Sequence, residues 1–432
     1  MMGVSESKFL LLSTSFIAIS LIVSSFVINA LSGKRFLFSA NTYFLTGFVV
    51  FIIIGMLKSV WIYDQPVTND ISILGLSCVS VILSLFCYLL AYHIPSTLAS
   101  RKRFTNVYEL SLKKILRIIL VLGLLGGIGL LFYNPLSTVH EIDNSTSIER
   151  FSVNFTIVSG ILAFFLFMNS RKNLSRVNNI LVIAVLLFGL GTVLFRGSRF
   201  VYLFLYSFLM LYYLYDRIYI KRKVIKLSGA VTIVFALFIV IIVANVTKTF
   251  AVLGWKTSEV EVDAIQVAAL SRMLSFEFVD AFDNLTLIVA HYEKTGEYIN
   301  GMSLLTPIVN VIPRSIWNDK PAAFGTMFVE KVYGGIPGLS LAPSLTGELI
   351  ANYGFVALIV GFLVFGFLCK FLDHLYVINQ GDPSYMVVHI PLLYLMLMEN
   401  RGDFFLNTAV LYIILPLFLI KRYIVTRRRA PI

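Results

Sequence analysis

The sequence predicts an all-α membrane protein, a polytopic bundle of about 11 transmembrane helices with one large extracytoplasmic loop that contains short helices. Three observations favour this fold. The 432 residues are 58% hydrophobic and only 13% charged, whereas soluble domains carry about 25% charged residues. The apolar residues form continuous runs close to the roughly 20 residues that a helix needs to cross the hydrocarbon. These runs lack the alternation of a transmembrane β-barrel, so helices must satisfy the backbone in lipid.

The apolar runs are counted as about eleven spans, within a range of about ten to twelve. The first run has no small-residue cleavage site and is longer than the apolar part of a signal peptide, so we expect it to remain as a helix. The predicted spans are Phe9–Leu31, Phe44–Trp61, Ile71–Tyr92, Ile115–Tyr133, Phe155–Met168, Ile180–Phe195, Phe200–Tyr215, Leu227–Val246, Leu345–Leu372, Met386–Met398 and Phe404–Ile420.

Clusters of Lys and Arg set the predicted orientation. Each basic cluster follows an odd-numbered span, and the connections on the other side are acidic or neutral. Because Lys and Arg accumulate in cytoplasmic loops, we expect the N-terminus outside and the C-terminus in the cytoplasm. The same distribution accounts for the net charge of +12, so nucleic acid is not expected as a partner.

Residues 248–342 interrupt the hydrophobic pattern between the eighth and ninth spans. They contain seven basic and ten acidic residues, a net charge of −3, which predicts a large extracytoplasmic loop within a single membrane domain of residues 1–432. Inside this loop the spacing of apolar and acidic residues predicts a helix over Ala264–His291, lying along the membrane face or over the mouth of the bundle. Asp280 and Asp283 are expected on its solvated face, although either could reach a sugar.

Two arginines occupy the very short outer turn Phe195-Arg-Gly-Ser-Arg-Phe200, between the sixth and seventh spans. Unpaired charge at this depth is costly. One interpretation is that Arg196 and Arg199 extend their side chains to the interface. The other is an anion site, because guanidinium groups bind phosphate oxygens two at a time.

Glu348 is a second charge in an unexpected place, in the first turns of the ninth span. Gly347 and Gly354 flank it and are expected to lie on one helical face that allows close approach. The carboxylate either pairs with a neighbouring Arg or acts as a general base, because burial makes a carboxylate more basic. The next outer turn contains Glu399, Arg401 and Asp403, which are expected to form a mutual surface ion pair.

No sequence motif indicates a metal or a cofactor. Cys78, Cys87 and Cys369 lie in apolar runs without paired spacing, which is typical of buried, inert thiols. The chain also lacks phosphate-binding glycine loops and histidine-based metal motifs.

Three segments of the chain resemble the bacterial O-antigen polymerase family, the Wzy-type oligosaccharide repeat-unit polymerases. They are the Arg-Gly-Ser-Arg turn, the run Ile312-Pro-Arg-Ser-Ile-Trp-Asn-Asp-Lys-Pro321, and Leu345-Thr-Gly-Glu-Leu-Ile-Ala-Asn-Tyr-Gly-Phe355. The resemblance covers about residues 190–366. Its most specific part is the run from Ile312 to Pro321, although Asn318 stands where the family pattern has Pro.

The resemblance implies a glycosyltransferase of the bacterial cytoplasmic (inner) membrane that joins undecaprenyl-diphosphate-linked oligosaccharide repeat units into O-antigen, capsular or exopolysaccharide. Its partners would be this lipid-linked substrate, membrane lipid and a polysaccharide chain-length regulator. Glu348 would be the catalytic base, with Asp280 as the second choice, and fixed positive charge would hold the diphosphate without a nucleotide or metal. The diphosphate-binding residues would be Arg196, Arg199, Arg272, Arg314 and Lys320, and the sugar-stacking residues would be Trp317 and Tyr333. The two aromatic residues are more typical of a membrane interface than of a sugar site.

Two other functions fit the same pattern. An O-antigen ligase-type transferase would use the same donor with a different acceptor, and the Arg-Gly-Ser-Arg turn is shared with such ligases. A lipid-linked oligosaccharide flippase or secondary transporter belongs to a different class. Transporters place broken helices and charges near the midplane of the bilayer, whereas the ionisable residues of this chain are predicted to gather at one face.

Overall fold

A computed structural model of the chain confirms a helical fold. The structure describes residues 2–31, 36–61, 68, 70–95, 107–131, 147–170, 173–195, 199–221, 280–309, 317, 321, 323–333, 341–379, 382–402 and 411–428. Within these ranges, five helices are long and apolar enough to cross a membrane: Ser5–Leu31, Ala40–Trp61, Ile71–His93, Ser152–Ser170 and Ser344–Asn379. The protein therefore has the helices of a membrane protein.

The secondary-structure elements are numbered in chain order. The helices are α1 (Met2–Leu31), α2 (Ala40–Trp61, with a π-helical turn at Phe48–Ile53), α3 (Ile71–His93), α4 (Leu112–Leu131), α5 (Ser147–Ser170), α6 (Arg176–Phe195), α7 (Arg199–Tyr215), α8 (Ala281–Thr295), α9 (Met302–Val309), α10 (Phe324–Tyr333), α11 (Ser344–Asn379), α12 (Pro383–Met398) and α13 (Leu411–Ile424). Strand β1 (Val107–Leu110) pairs antiparallel with β2 (Val425–Arg428). Each predicted span overlaps one of these helices except Leu227–Val246, which lies outside the described residues, as do residues 404–410 of the last predicted span.

The helices group into two compact units. The first unit comprises Met1–Arg101, Phe276–Ile378 and Leu395–Val410, and the second comprises Lys102–Ser275, Asn379–Tyr394 and Leu411–Ile432. In the first unit α1 packs against α2 and α3, and α8 packs against both α2 and α3. The first unit thus combines the start of the chain with residues that lie far along it.

A partly buried carboxylate at the start of α2 joins three helices of the first unit. Asp373 of α11 accepts hydrogen bonds from Ser39 Oγ at 2.6 Å, from the Ala40 amide at 2.5 Å and from Tyr92 Oη of α3 at 2.7 Å. The first amides of a helix have no partner within the helix. A carboxylate at this end satisfies them and also interacts favourably with the helix dipole.

Helix α11 is broken at Tyr353 and Gly354. Tyr353 has φ −149° and ψ 27°, and Gly354 has φ 64° and ψ −150°, a backbone conformation that is essentially restricted to glycine. Leu349 and Gly361 lie on opposite sides of this break and are in contact, since a Cβ on Gly361 would lie only 2.5 Å from Leu349 Cδ1. The chain therefore folds back at this point. We call residues 344–352 the short arm and residues 355–379 the long arm of α11.

The break changes how the ninth predicted span must be understood. The prediction of one continuous span over Leu345–Leu372 is wrong, because the short arm runs back alongside the long arm. The long arm alone has about 25 residues and a length of about 37 Å, enough to cross a bilayer. It follows that Gly347 and Gly354 do not lie on one helical face, since the chain reverses between them.

Helix α8 replaces the predicted helix Ala264–His291. It begins at Ala281 and ends at Thr295, where Gly296 adopts φ 65° and its amide donates to the Tyr292 carbonyl; residues 264–279 lie outside the described part of the chain. The position predicted for this helix, along the membrane face or over the mouth of the bundle, stays a prediction, but the helix is more enclosed than a surface helix would be. Most sides of α8 carry buried side chains, which belong to Ala281, Phe282, Asn284, Leu285, Thr286, Ile288, Val289 and Tyr292.

The second unit is built on close contacts between α4, α5 and α6. A Cβ on Gly126 would lie 2.1 Å from Thr156 Oγ1. In the same way, Gly160 of α5 faces Gly189 of α6, with 3.8 Å between the Cα of Gly189 and a Cβ built on Gly160. Small residues at these crossings let the helix backbones approach closely, which is typical of helices that associate in lipid.

Candidate functional site

The candidate site is the short arm of α11 with the elements that hold it. Its first amides are satisfied by the turn that follows α12: the Ser344 amide donates to the Arg401 carbonyl at 3.2 Å, and the Leu345 amide donates to the Glu399 carbonyl at 2.9 Å. Ser344 has φ 60°, and its Oγ accepts a hydrogen bond from the Gly347 amide at 3.4 Å. The start of the short arm is therefore fixed by the protein rather than by water.

Glu348 lies in the middle of the short arm and is completely buried, with 0% exposure. Gly347 precedes it and faces α8, where an added Cβ would lie 2.8 Å from Ile288 Cδ1. The glycine thus allows α8 to approach the arm closely. The carboxylate of Glu348 is therefore enclosed by protein and removed from bulk water.

The end of the short arm is tied to the segment between α8 and α9. Asn352 Nδ2 donates to the Glu348 carbonyl at 2.7 Å and to Ser303 Oγ at 2.8 Å. The Ile299 amide also donates to the Ala351 carbonyl at 3.0 Å. The arm that carries Glu348 is consequently held at both ends and along one side.

Glu399, in the turn after α12, contacts the start of the short arm through its backbone. Glu399 is buried, with 4% exposure, and its carbonyl accepts the amide of Leu345, less than one helical turn before Glu348. The guanidinium of Arg401 lies 6.0 Å from the centre of the Phe51 ring. The prediction of a surface ion pair in this turn is wrong as regards the surface, because Glu399 is enclosed.

Asp283 of α8 forms a largely buried ion pair that the sequence did not indicate. Its Oδ2 lies 3.6 Å from Lys58 Nζ, and its Oδ1 accepts a hydrogen bond from Ser59 Oγ at 3.0 Å. Burial raises the pKa of Asp283, while Lys58 and Ser59 act in the opposite direction and Asp280 adds to the increase. The prediction that Asp283 lies on a solvated face is wrong. In the sequence, Lys58 stands out only as an isolated lysine within a predicted span, which indicates that it needs a partner but not which residue that partner is.

Asp280 lies immediately before α8 and is partly buried. Its side chain makes no capping hydrogen bond to α8, and among the described residues its Oδ1 has no hydrogen-bond partner. Asn284, one turn later, donates through Nδ2 to the Ala342 carbonyl at 3.0 Å, just before α11 begins. The structure therefore brings the start of α8, with Asp280, to the start of the short arm.

The remaining predicted site residues are only partly described. Trp317 is exposed, with 41% of its surface accessible. Arg199 is the first residue of α7 and Tyr333 the last of α10, and for both the structure describes the backbone alone. Outside the described residues lie Arg196, Arg272, Arg314 and Lys320. Of the predicted catalytic and binding residues, Glu348 lies on the short arm and Asp280 lies at the start of α8, the helix that packs against this arm.

Comparison with known proteins does not assign the chain. No family model matches its sequence, and no solved structure matches its fold.

Residues that sequence reasoning missed connect the site to its surroundings. Asn352 and Ser303 are fully buried and hydrogen-bonded to each other. Nothing in the sequence distinguished them, because a single Asn in an apolar run and a single Ser after a glycine are common. Their importance follows from the reversal of α11, which brings the end of the short arm against α9.

Proposed function

We propose that this protein is a membrane glycosyltransferase that polymerises lipid-diphosphate-linked oligosaccharide units at the outer face of the bacterial cytoplasmic membrane. Two observations support this function. The sequence resembles the O-antigen polymerases over about residues 190–366. The structure buries Glu348 on a rigidly held short arm, within the segment that carries the resemblance.

The proposed reaction transfers the growing chain from its lipid to the next unit. A hydroxyl at the non-reducing end of the acceptor oligosaccharide attacks the anomeric carbon of the donor. The new glycosidic C–O bond forms as the bond between that carbon and the diphosphate oxygen breaks. Glu348 takes the proton of the attacking hydroxyl, and the undecaprenyl diphosphate departs with the electron pair. Both the base and the charge stabilisation come from side chains, as in other preorganised sites.

The cationic residues of the resembling segments would stabilise the leaving diphosphate. These residues are Arg196, Arg199, Arg272, Arg314 and Lys320. Guanidinium groups suit this role because each can donate two parallel hydrogen bonds to phosphate oxygens. Trp317, which is exposed, has the free aromatic surface needed to stack on a sugar ring.

The single observation that carries the proposal is the complete burial of Glu348 on the short arm. Enclosure on a held arm keeps the carboxylate in one place, which a general base needs in order to meet the acceptor hydroxyl at hydrogen-bond distance. Asp280 is the second choice as base, because it lies at the start of the neighbouring helix and is only partly buried.

Incubation of the purified protein with a defined undecaprenyl-diphosphate oligosaccharide, without nucleotide, tests the proposal. The wild type should produce a ladder of longer chains on a gel. Glu348→Gln keeps the shape of the side chain but removes the base, so it should lose the ladder, by about 10²-fold or more in rate. The matched control is Glu293→Gln, an exposed carboxylate on α8, which should retain wild-type activity.

Arg314→Ala tests the charge stabilisation separately. The variant should be expressed and inserted normally but make no long chains. A normal chain-length distribution from Arg314→Ala, or a normal ladder from Glu348→Gln, would refute the corresponding role. A deletion strain distinguishes polymerase from ligase, since loss of a polymerase leaves single repeat units on the acceptor whereas loss of a ligase leaves the acceptor bare.

One structural observation favours a second function, transport of a lipid-linked oligosaccharide. Transporters build their substrate sites from discontinuous helices, and α11 is discontinuous at Tyr353 and Gly354. The two functions make opposite predictions in sealed liposomes. A transporter moves a labelled lipid-linked oligosaccharide across the bilayer without changing its length, whereas a polymerase lengthens it without moving it.

A further inference from the structure

Helix α9 exposes apolar side chains and buries polar ones, which is the opposite of a helix on the surface of a soluble protein. Met302 and Leu305 are exposed, with 46% and 51% of their surfaces accessible, whereas Ser303 and Thr306 are buried, with 0% and 1%. A helix on the surface of a soluble domain buries its apolar side and exposes its polar side. The reversed order is what a helix in contact with hydrocarbon requires.

The polar side of α9 is used within the protein. Ser303 Oγ accepts a hydrogen bond from Asn352 Nδ2 at 2.8 Å, and Thr306 Oγ1 donates to the Ser303 carbonyl. Just before the helix, Gly301 lies against Tyr353, with 2.9 Å between Tyr353 Oη and a Cβ built on the glycine. These contacts hold the polar side of α9 inside the first unit and leave Met302 and Leu305 on its surface.

The exposed apolar surface continues from α9 onto the long arm of α11. Tyr353, which touches Gly301, is itself 51% exposed. Beyond it a stripe of valines at helical spacing is even more exposed: Val356 at 71%, Val360 at 55% and Val364 at 61%. Helix α11 is one of the helices that are long and apolar enough to cross a membrane. The apolar side of α9 is therefore next to a surface already suited to lipid.

We propose that α9 is embedded in one leaflet of the bilayer, with Met302 and Leu305 in contact with acyl chains. Its eight residues span about 12 Å, too short to cross the roughly 30 Å of hydrocarbon. The helix thus enters a single leaflet and anchors the segment between α8 and α11 to the membrane. This inference does not depend on the proposed enzymatic function.

Fluorescence quenching in liposomes tests the proposal on the full-length protein. Leu305→Cys is labelled with bimane and reconstituted into phosphatidylglycerol and phosphatidylethanolamine vesicles, with or without lipids brominated on the acyl chain. The three native cysteines are buried, and unlabelled background is measured on the parent protein. The matched control is Lys294→Cys, at an exposed position near the end of α8.

The label at Leu305→Cys should lose fluorescence with brominated lipid and resist quenching by aqueous iodide. The label at Lys294→Cys should show the opposite behaviour. Quenching of the first label by iodide alone would place α9 in water and overturn the proposal. Protection from both quenchers would also overturn it, because a second copy or another protein segment would then cover this side. Met302→Cys repeats the test if Leu305→Cys does not fold.

Discussion

Replacing Gly354 by alanine tests whether the reversal of α11 is real. The residue has φ 64° and ψ −150°, and a side chain in such a glycine-only conformation costs about 1–3 kcal/mol. The added methyl group would also lie 3.2 Å from Tyr298 Oη, but this exposed side chain can move away. The expected destabilisation is therefore dominated by the backbone, at about 1–3 kcal/mol.

A glycine in the middle of a regular helix provides the matched control. Gly75 lies in α3, and a Cβ built there meets no atom within 4 Å. Gly75→Ala should stabilise the protein by about 0.5–1 kcal/mol, because alanine loses less backbone freedom in a helix. The same substitution thus has opposite expected signs at the two glycines.

Thermal unfolding in detergent measures the difference. A thiol-reactive fluorogenic maleimide reports unfolding, because Cys78, Cys87 and Cys369 are buried and react only when the fold opens. Gly354→Ala should melt below the wild type and Gly75→Ala at or above it. If Gly354→Ala melts together with Gly75→Ala, residue 354 is helical and the reversal with its short arm is wrong.

Two further predictions concern charged side chains around α8. Lys58→Met should destabilise the protein by about 3–5 kcal/mol, because it leaves the largely buried Asp283 carboxylate without its cation. In thermal melts, the double variant with Asp283→Asn should recover part of this loss. If the effects of the two substitutions simply add, the two side chains do not form the pair. Burial and the nearby Lys331 lower the pKa of His291 in the folded protein. The unfolded chain therefore binds a proton more readily than the folded protein. As the pH falls below about 6.5, the free energy of unfolding should decrease for this reason. Lys331→Gln should raise the pKa of His291 measured by NMR, and an unchanged value would contradict the electrostatic contribution of Lys331.

The helices of this fold could largely be predicted from hydrophobicity, since burial in lipid leaves a strong signal in every span. The reversal of α11 could not. Gly354 is a single glycine in an apolar run, and such a residue is compatible with a continuous helix. The reversal depends on tertiary contacts that the sequence does not display, because the turn after α12 provides hydrogen-bond acceptors for the amides of Ser344 and Leu345.

The candidate site was predictable only where a charge stood out against apolar surroundings. Glu348 met this condition, and the structure buries it. Asp283 was placed on a solvated face because acidic residues at helical spacing usually lie in water. The sequence pattern contained no sign that Lys58 of α2 would be the partner, because the two residues are 225 positions apart in sequence and only tertiary packing joins them.

The carboxylate of Asp373 also has a consequence for the order of assembly. It accepts a hydrogen bond from the Ala40 amide, which lies 333 positions earlier in the sequence. Ribosomes synthesise the chain from the N-terminus. The beginning of α2 must therefore enter the membrane long before its capping group has been synthesised. The first unit reaches its final hydrogen bonding only when α11 joins the helices that preceded it.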